Sequence, residues 1–174
     1  MSAPRKTTLV VAAAASLCGS LFLAPAASAG EVASWNGQYI LVLSANAKTG
    51  TSIAASQNEL AHRGSYSISS TCAANVCTAT VNNPPPPKND SMPATVEFTW
   101  NGSQWVREMS WKWDCLLPDG TIENDPAKSI TVYTPGANGI LTGVFHTDIA
   151  SGACKGNVDM PGDGRPDAPA GCLK

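Results

Sequence analysis

The fold is decided by residues 94–115, which read Ala94-Thr95-Val96-Glu97-Phe98-Thr99-Trp100-Asn101-Gly102-Ser103-Gln104-Trp105-Val106-Arg107-Glu108-Met109-Ser110-Trp111-Lys112-Trp113-Asp114-Cys115. Apolar and polar residues alternate on both sides of Asn101-Gly102. A period of two puts successive side chains on opposite faces of a strand, and Asn-Gly is the strongest short-range signal for a hairpin turn. One face of the predicted hairpin carries Phe98, Trp100, Trp105, Met109, Trp111, Trp113 and Cys115. Arg107 falls on that same face. A guanidinium on an apolar face needs a partner: a stacked indole, a carboxylate such as Glu97 or Glu108, or, inside a barrel, the carboxylate or phosphate of a ligand.

The same alternation recurs on either side. Tyr39, Leu41 and Leu43 share one face of a first strand, and Tyr66, Ile68, Ser70 and Cys72 share one face of a second. Cys77, Ala79 and Val81 return from a turn, and the four prolines 84–87 stop that strand because they lack amide donors. Pro118-Asp119-Gly120, Asn138-Gly139 and Ser151-Gly152 are further turns, bounding strands at 129–133, 140–149 and 154–160. A capping-box pattern, Ser56-x-x-Glu59, predicts a short helix near residues 57–62. Eight or nine short strands joined by hairpins predict an all-β domain, an antiparallel up-and-down barrel with a β-sandwich as the alternative.

Residues 1–29 have the three parts of a cleaved signal peptide: basic Arg5 and Lys6, an apolar stretch over 9–24, and the small-residue site Ala27-Ser28-Ala29. The expected organisation is therefore a leader over 1–29, a single disulfide-bonded β-domain over 30–160, and a flexible Pro/Gly-rich tail over 161–174. Export to an oxidising compartment makes disulfides the default. Cys72 and Cys77 flank a short hairpin loop and face each other, and Cys115 pairs with Cys154 by elimination. Cys172 stands alone in the tail, so the protein is expected as a monomer, with a dimer linked through Cys172 as the alternative.

Charged residues make up only 14% of the chain, the formal net charge is −2, and no basic run follows Arg5-Lys6. That excludes a nucleic-acid binder held by phosphate contacts and a polybasic membrane-surface protein. No apolar run after the leader reaches membrane length, so no transmembrane segment is expected after cleavage. No cofactor, metal or catalytic residue is expected. Asp119, Glu123 and Asp125 in one loop, and Asp159, Asp163 and Asp167 near the tail, match no calcium loop; a hydrolase would need two of Asp119, Glu123, Asp125, Asp148 and Asp159 facing one cleft, and His146 has no nucleophile elbow to serve. The tryptophans serve either a packed core or an aromatic binding surface. The candidate ligand-binding residues are Arg107, Trp105, Trp111 and Trp113.

Ser34-Trp35-Asn36-Gly37-Gln38-Tyr39, Lys48-Thr49-Gly50-Thr51-Ser52, the Cys72/Cys77 hairpin, Thr99-Trp100-Asn101-Gly102, Trp111-Lys112-Trp113-Asp114-Cys115 and Leu117-Pro118-Asp119-Gly120-Thr121 occur together here. With Thr147-Asp148-Ile149, Gly152 and Cys154, this set resembles a family of small secreted mycobacterial proteins of unknown function, over about residues 35–160. The resemblance implies export and an all-β domain, and it offers no functional residues to carry over. Trp35 near the first strand is more weakly similar to the Gly-x-Trp or Trp-containing motif of lipocalin-like and avidin-like barrels, but here Trp35 precedes Gly37; that likeness implies an internal cavity. The function expected is that of a secreted, non-enzymatic domain binding an unidentified envelope or extracellular ligand or protein. The alternatives are a carrier of small apolar ligands and an envelope hydrolase using acidic residues.

Overall fold

The computed structural model describes residues 34–59 and 61–167. The expected leader, Cys172 and the last tail residues lie outside them. Eight antiparallel strands run in sequence order and close into a barrel: β1 Gly37–Leu43, β2 His62–Ala73, β3 Val76–Val81, β4 Glu97–Trp100, β5 Trp105–Leu116, β6 Ile122–Pro135, β7 Leu141–Ile149 and β8 Gly156–Pro166. Each strand pairs with the next, and β8 pairs back to β1 from Leu43↔Gly162 to Tyr39↔Pro166. The sandwich alternative is thereby set aside.

The turns follow from the residues that can adopt them. Between β2 and β3, Ala74 and Asn75 both take positive φ, 48° and 67°, the left-handed pair that lets a two-residue turn match the twist of its strands. Cys72 and Cys77 are direct register partners and are joined by a disulfide. At the tip of β4 and β5, Asn101 Oδ1 accepts from the amides of Ser103 (3.0 Å) and Gln104 (2.8 Å), so the hairpin closes over four residues. Cys115 at the end of β5 is bonded to Cys154, which ties the β7–β8 connection to β5.

At most a short helix was expected near 57–62, and among the described residues there none forms. A 3-10 turn forms instead over Ile53–Ser56, capped by Ser52, whose side chain accepts from the Ala54 amide. Ser56 turns its hydroxyl back to the Ile53 carbonyl and Glu59 accepts from Lys48 and Lys88, so the capping box never forms. The tail was expected from residue 161, but β8 runs to Pro166 and closes the barrel. Gly162 and Gly164 sit where β8 passes close to β1. A Cβ on Gly164 would meet the side chains of Leu41 and Leu141 at 2.8 and 3.1 Å. The glycines here allow close packing.

Inward-facing residues form two buried clusters. One surrounds Trp35 and includes Tyr39, Ile68, Phe98, Trp105 and Tyr133. The other includes Met109, Trp111, Trp113, Ile149 and Val158, and Ala54 of the 3-10 turn packs into it. The connection between β1 and β2 lies along β8, through backbone bonds from Thr49 to Asp159 and from Ser52 to Asn157.

Candidate functional site

Between these clusters is a cavity of about 540 Å³, within the roughly 300–1,000 Å³ of small-molecule sites. Its walls are mainly apolar: Leu41 and Leu43 of β1, Met109, Trp111 and Trp113 of β5, Phe145 of β7 and Met160 of β8. The rest of the boundary is unusual for a barrel. β4 pairs with β5 only at Thr99↔Val106 and Trp100↔Trp105. β3 pairs with β2 only from Ala73↔Val76 to Ile68↔Val81. Beyond these pairs, β5 from Arg107 onward and β2 from His62 to Ser67 lack a ladder partner on the facing side.

The loop over residues 82–96 covers this gap. Its prolines cannot donate to a ladder, and side chains fasten it instead. Asn83 Oδ1 accepts from the Ser67 amide on β2 (2.7 Å). On β5, Asn89 Nδ2 donates to the Lys112 carbonyl (2.9 Å) and Ser91 Oγ accepts from the Lys112 amide (2.8 Å). Pro85, Pro86, Lys88, Met92 and Val96 of this loop line the cavity. Exposed His62 and half-exposed Lys88 mark its mouth.

One carboxylate lines the cavity, Glu59, and it is paired twice. Its Oε2 accepts from Lys48 Nζ at 3.1 Å and its Oε1 from Lys88 Nζ at 3.0 Å. Burial pushes the Glu59 carboxyl up, but the Lys88 and Lys48 ammonium groups outweigh it and hold it below the usual range. Lys88 also stands 5.0 Å from the centre of the Trp113 ring. Glu59 therefore fastens the loop over 82–96 to the segment before β2. Beside it, His62 Nε2 and the Tyr66 hydroxyl share a 2.6 Å hydrogen bond.

Arg107 is the first residue of β5 past the last β4 pair. It lines the cavity at the level of Thr131, its register partner on β6. Its Nη2 donates to the Thr95 carbonyl at 3.2 Å. Among the described residues it makes no ion pair, and burial lowers its pKa. Glu97 and Glu108, the carboxylates nearest in sequence, are exposed. Of the other candidate ligand residues, Trp111 and Trp113 line the cavity. Trp111 is held there by donating Nε1 to Ser129 Oγ (2.7 Å), which in turn bonds Thr147 (2.7 Å). Trp105 lies outside the cavity, with its ring 5.9 Å from that of Trp35 and 5.3 Å from that of Trp100. Glu59, His62, Tyr66 and Lys88 were not anticipated. His62 and Tyr66 sit four residues apart, but no local pattern in a single chain brings Lys88 to Glu59.

None of the acidic residues named from the sequence as hydrolase or calcium candidates lines the cavity. Asp119 caps its own turn, accepting from Thr121. Asp125 is buried beside the Cys115–Cys154 bridge and accepts from the Cys154 amide at 2.8 Å. These two cysteines and Asp125 have metal-ligand spacing, but the sulfurs are bonded to each other. Asp148 and Asp159 flank His146 at 3.3 and 2.6 Å, on the opposite face of β7 from Phe145.

No protein-family model matches the sequence, and no curated protein matches it. Among solved structures, the chain is similar to the monomer form of the M. tuberculosis PknI sensor domain. The TM-score is 0.53 at 12% identity, over 78% of this chain and 89% of that one. The dimer form of the same domain aligns at a TM-score of 0.41 and 16% identity, over 94% and 89%. The first likeness shows a shared fold with a mycobacterial sensor domain. Among the described residues no helix is long and apolar enough to cross a membrane, and both disulfides suit an oxidising compartment.

Proposed function

We propose that this protein is an exported, non-enzymatic binding domain of the cell envelope or its exterior, and that it holds a small, largely apolar ligand inside the barrel. The observation that carries this reading is the apolar cavity of about 540 Å³, walled by Trp111, Trp113, Phe145 and Met160 and covered by a side-chain-fastened loop. A barrel built only for stability fills its interior with side chains. The fold shared with a domain described as a sensor supports ligand binding, since carriage and sensing both need an occupant. The hydrolase alternative needs two carboxylates facing one cleft, whereas a single paired carboxylate, Glu59, lines this cavity.

The test is a titration with N-phenyl-1-naphthylamine, a neutral apolar fluorophore, read by energy transfer from Trp111 and Trp113. Saturable binding at one site per chain is expected. Thr131→Trp, which places an indole in the cavity, should abolish it while circular dichroism and melting stay close to those of the parent. Absence of saturable binding in the parent, or unchanged binding in a folded Thr131→Trp variant, would overturn the reading.

A further inference from the structure

Granted that ligand-binding reading, we infer that the occupant is a single-chain amphiphile with an anionic head group. The head group pairs with Arg107 beneath the loop over 82–96, and the apolar chain lies along Phe145 and Met160. The shared chemistry is a singly attached anion, carboxylate or phosphate, at the end of an alkyl chain.

The placement of Arg107 argues for this. Arg107 is partly buried, and a charge partly withdrawn from water gains from a partner, yet this guanidinium has one hydrogen bond, to a backbone carbonyl, and no carboxylate partner among the described residues. Its other N–H groups form a planar fork suited to two oxygens of one anion. In the empty barrel this arginine does one thing, donating to the Thr95 carbonyl of the covering loop. That bond uses one of its five N–H donors, and leucine or methionine would satisfy the alternation of β5, so the remaining donors are free for a ligand.

The charges near it agree. Lys88 lines the same cavity, with its ammonium half exposed. The only lining carboxylate among the described residues, Glu59, is occupied by Lys48, whose side chain is 3% exposed, as well as by Lys88. Among the described residues, the ionised groups that line the cavity are therefore two cations, Arg107 and Lys88, and one already neutralised anion, Glu59. Such a rim favours an anion and disfavours a cationic head group. The direction of the site also fits. Arg107, Thr131, Phe145 and Met160 form one continuous row across β5 to β8. A head group at Arg107 thus leads directly onto an apolar wall.

The experiment displaces N-phenyl-1-naphthylamine from the full mature protein with four ligands of equal chain length: hexadecanoate, hexadecyl phosphate, 1-hexadecanol and hexadecyltrimethylammonium. At neutral pH the parent should bind at least one of the two anions about tenfold or more tighter than the alcohol, and the cation weakest. Whichever anion is tighter identifies the head group. In Arg107→Met the advantage of the anion over the alcohol should disappear while the alcohol still binds. Arg107→Lys should keep part of it. Equal binding of anions and alcohol by the parent would overturn the head-group assignment and leave the cavity reading standing. An anion preference that survives Arg107→Met would overturn the role given to Arg107. Failure of the alcohol, the anions and the fluorophore alike to bind the parent would overturn the cavity reading itself. The parent comparison needs no variant, so poor folding of Arg107→Met leaves the head-group inference testable.

Discussion

The region around Trp35 and the chamber around Arg107 are built on the same strands, from residues two positions apart. Trp105 and Arg107 are successive inward residues of β5, Tyr133 and Thr131 of β6, and Tyr39 and Leu41 of β1. The first region is closed and the second is hollow, and the difference lies in what reaches the axis. Trp35, just before β1, inserts its ring among Phe98, Tyr133, Trp105 and Tyr39, with centroids 5.1 to 6.0 Å away in tilted or edge-on arrangements. Ser70 Oγ accepts from its amide at 2.9 Å and fixes the segment on β2. Among the described residues no segment enters the chamber in the same way. A barrel of this size is filled or hollow according to whether a strand-flanking residue plugs it, and one face of a single sheet can serve both purposes at different depths.

The largest expected effect comes from removing the plug. Trp35→Ala should destabilise the domain by about 3–5 kcal/mol, the range for a large aromatic deleted from a core. Denaturant unfolding reads this directly. Trp35→Phe should cost less, because it keeps much of the ring contact and removes an indole N–H that has no partner among the described residues. If Trp35→Ala lost less than about 1 kcal/mol, the two regions would not differ as described. Trp35→Phe should leave uptake of the neutral fluorophore intact, since Trp35 does not line the cavity.

How far this contrast can be read from the chain depends on the range of the contacts. The alternation of 94–115 is local, so the placement of Arg107 among inward-facing residues follows from it, and so does the facing of Cys72 and Cys77. The hollow does not. It depends on β4 being four residues long and on β3 stopping at Val81, while their neighbours β5 and β2 run on for twelve each. Proline at 84–87 marks where β3 stops but not what it leaves uncovered. The end of the chain was misread for a related reason. Pro161, Gly162, Asp163, Gly164, Arg165 and Pro166 have the composition of a tail, but the glycines recur at a period of two on the inward side of β8. A glycine alternating with polar residues was the available strand signal. Glycine there is demanded by the neighbouring strand's leucines, which only the closed barrel brings close.

The cover over the chamber predicts a smaller, kinetic effect. Glu59→Gln removes both ion pairs and leaves the Lys48 ammonium buried without a carboxylate. This should cost about 2 kcal/mol, between the values for exposed and buried pairs. More tellingly, it should speed release of the fluorophore by unfastening the loop over 82–96. The pH dependence has a definite sign. The folded carboxyl of Glu59 is held below its unfolded value, so its contribution is present above the ordinary glutamate pKa of about 4.3. It is lost as the pH falls through the depressed folded value. Stopped-flow release should therefore accelerate on acidification in the parent and lose this dependence in Glu59→Gln. Equal rates in both proteins at neutral pH would show that the clamp does not control access, and the chamber would need another route.

The smallest effect should come from the outer wall, one residue away from the chamber. Phe145 faces the cavity and His146, the next residue, faces the other way, held by Asp159 at 2.6 Å and Asp148 at 3.3 Å. The Asp159 hydrogen bond raises the His146 pKa against the opposing effect of burial, with Asp148 adding to it. A group whose folded pKa is raised contributes fully below its unfolded value, about 6.5 for histidine, and the contribution disappears as the pH rises through the folded value. Asp159→Asn should therefore lower the His146 pKa, followed by NMR titration of the ring, and reduce stability at about pH 5 more than at about pH 9. Affinity for the fluorophore and for hexadecanoate should not change, because the altered charge lies on the far side of a paired strand. A change in ligand affinity would mean that the wall of β7 and β8 transmits charge to the chamber. The interior site would then have to be described together with the outer face of the barrel.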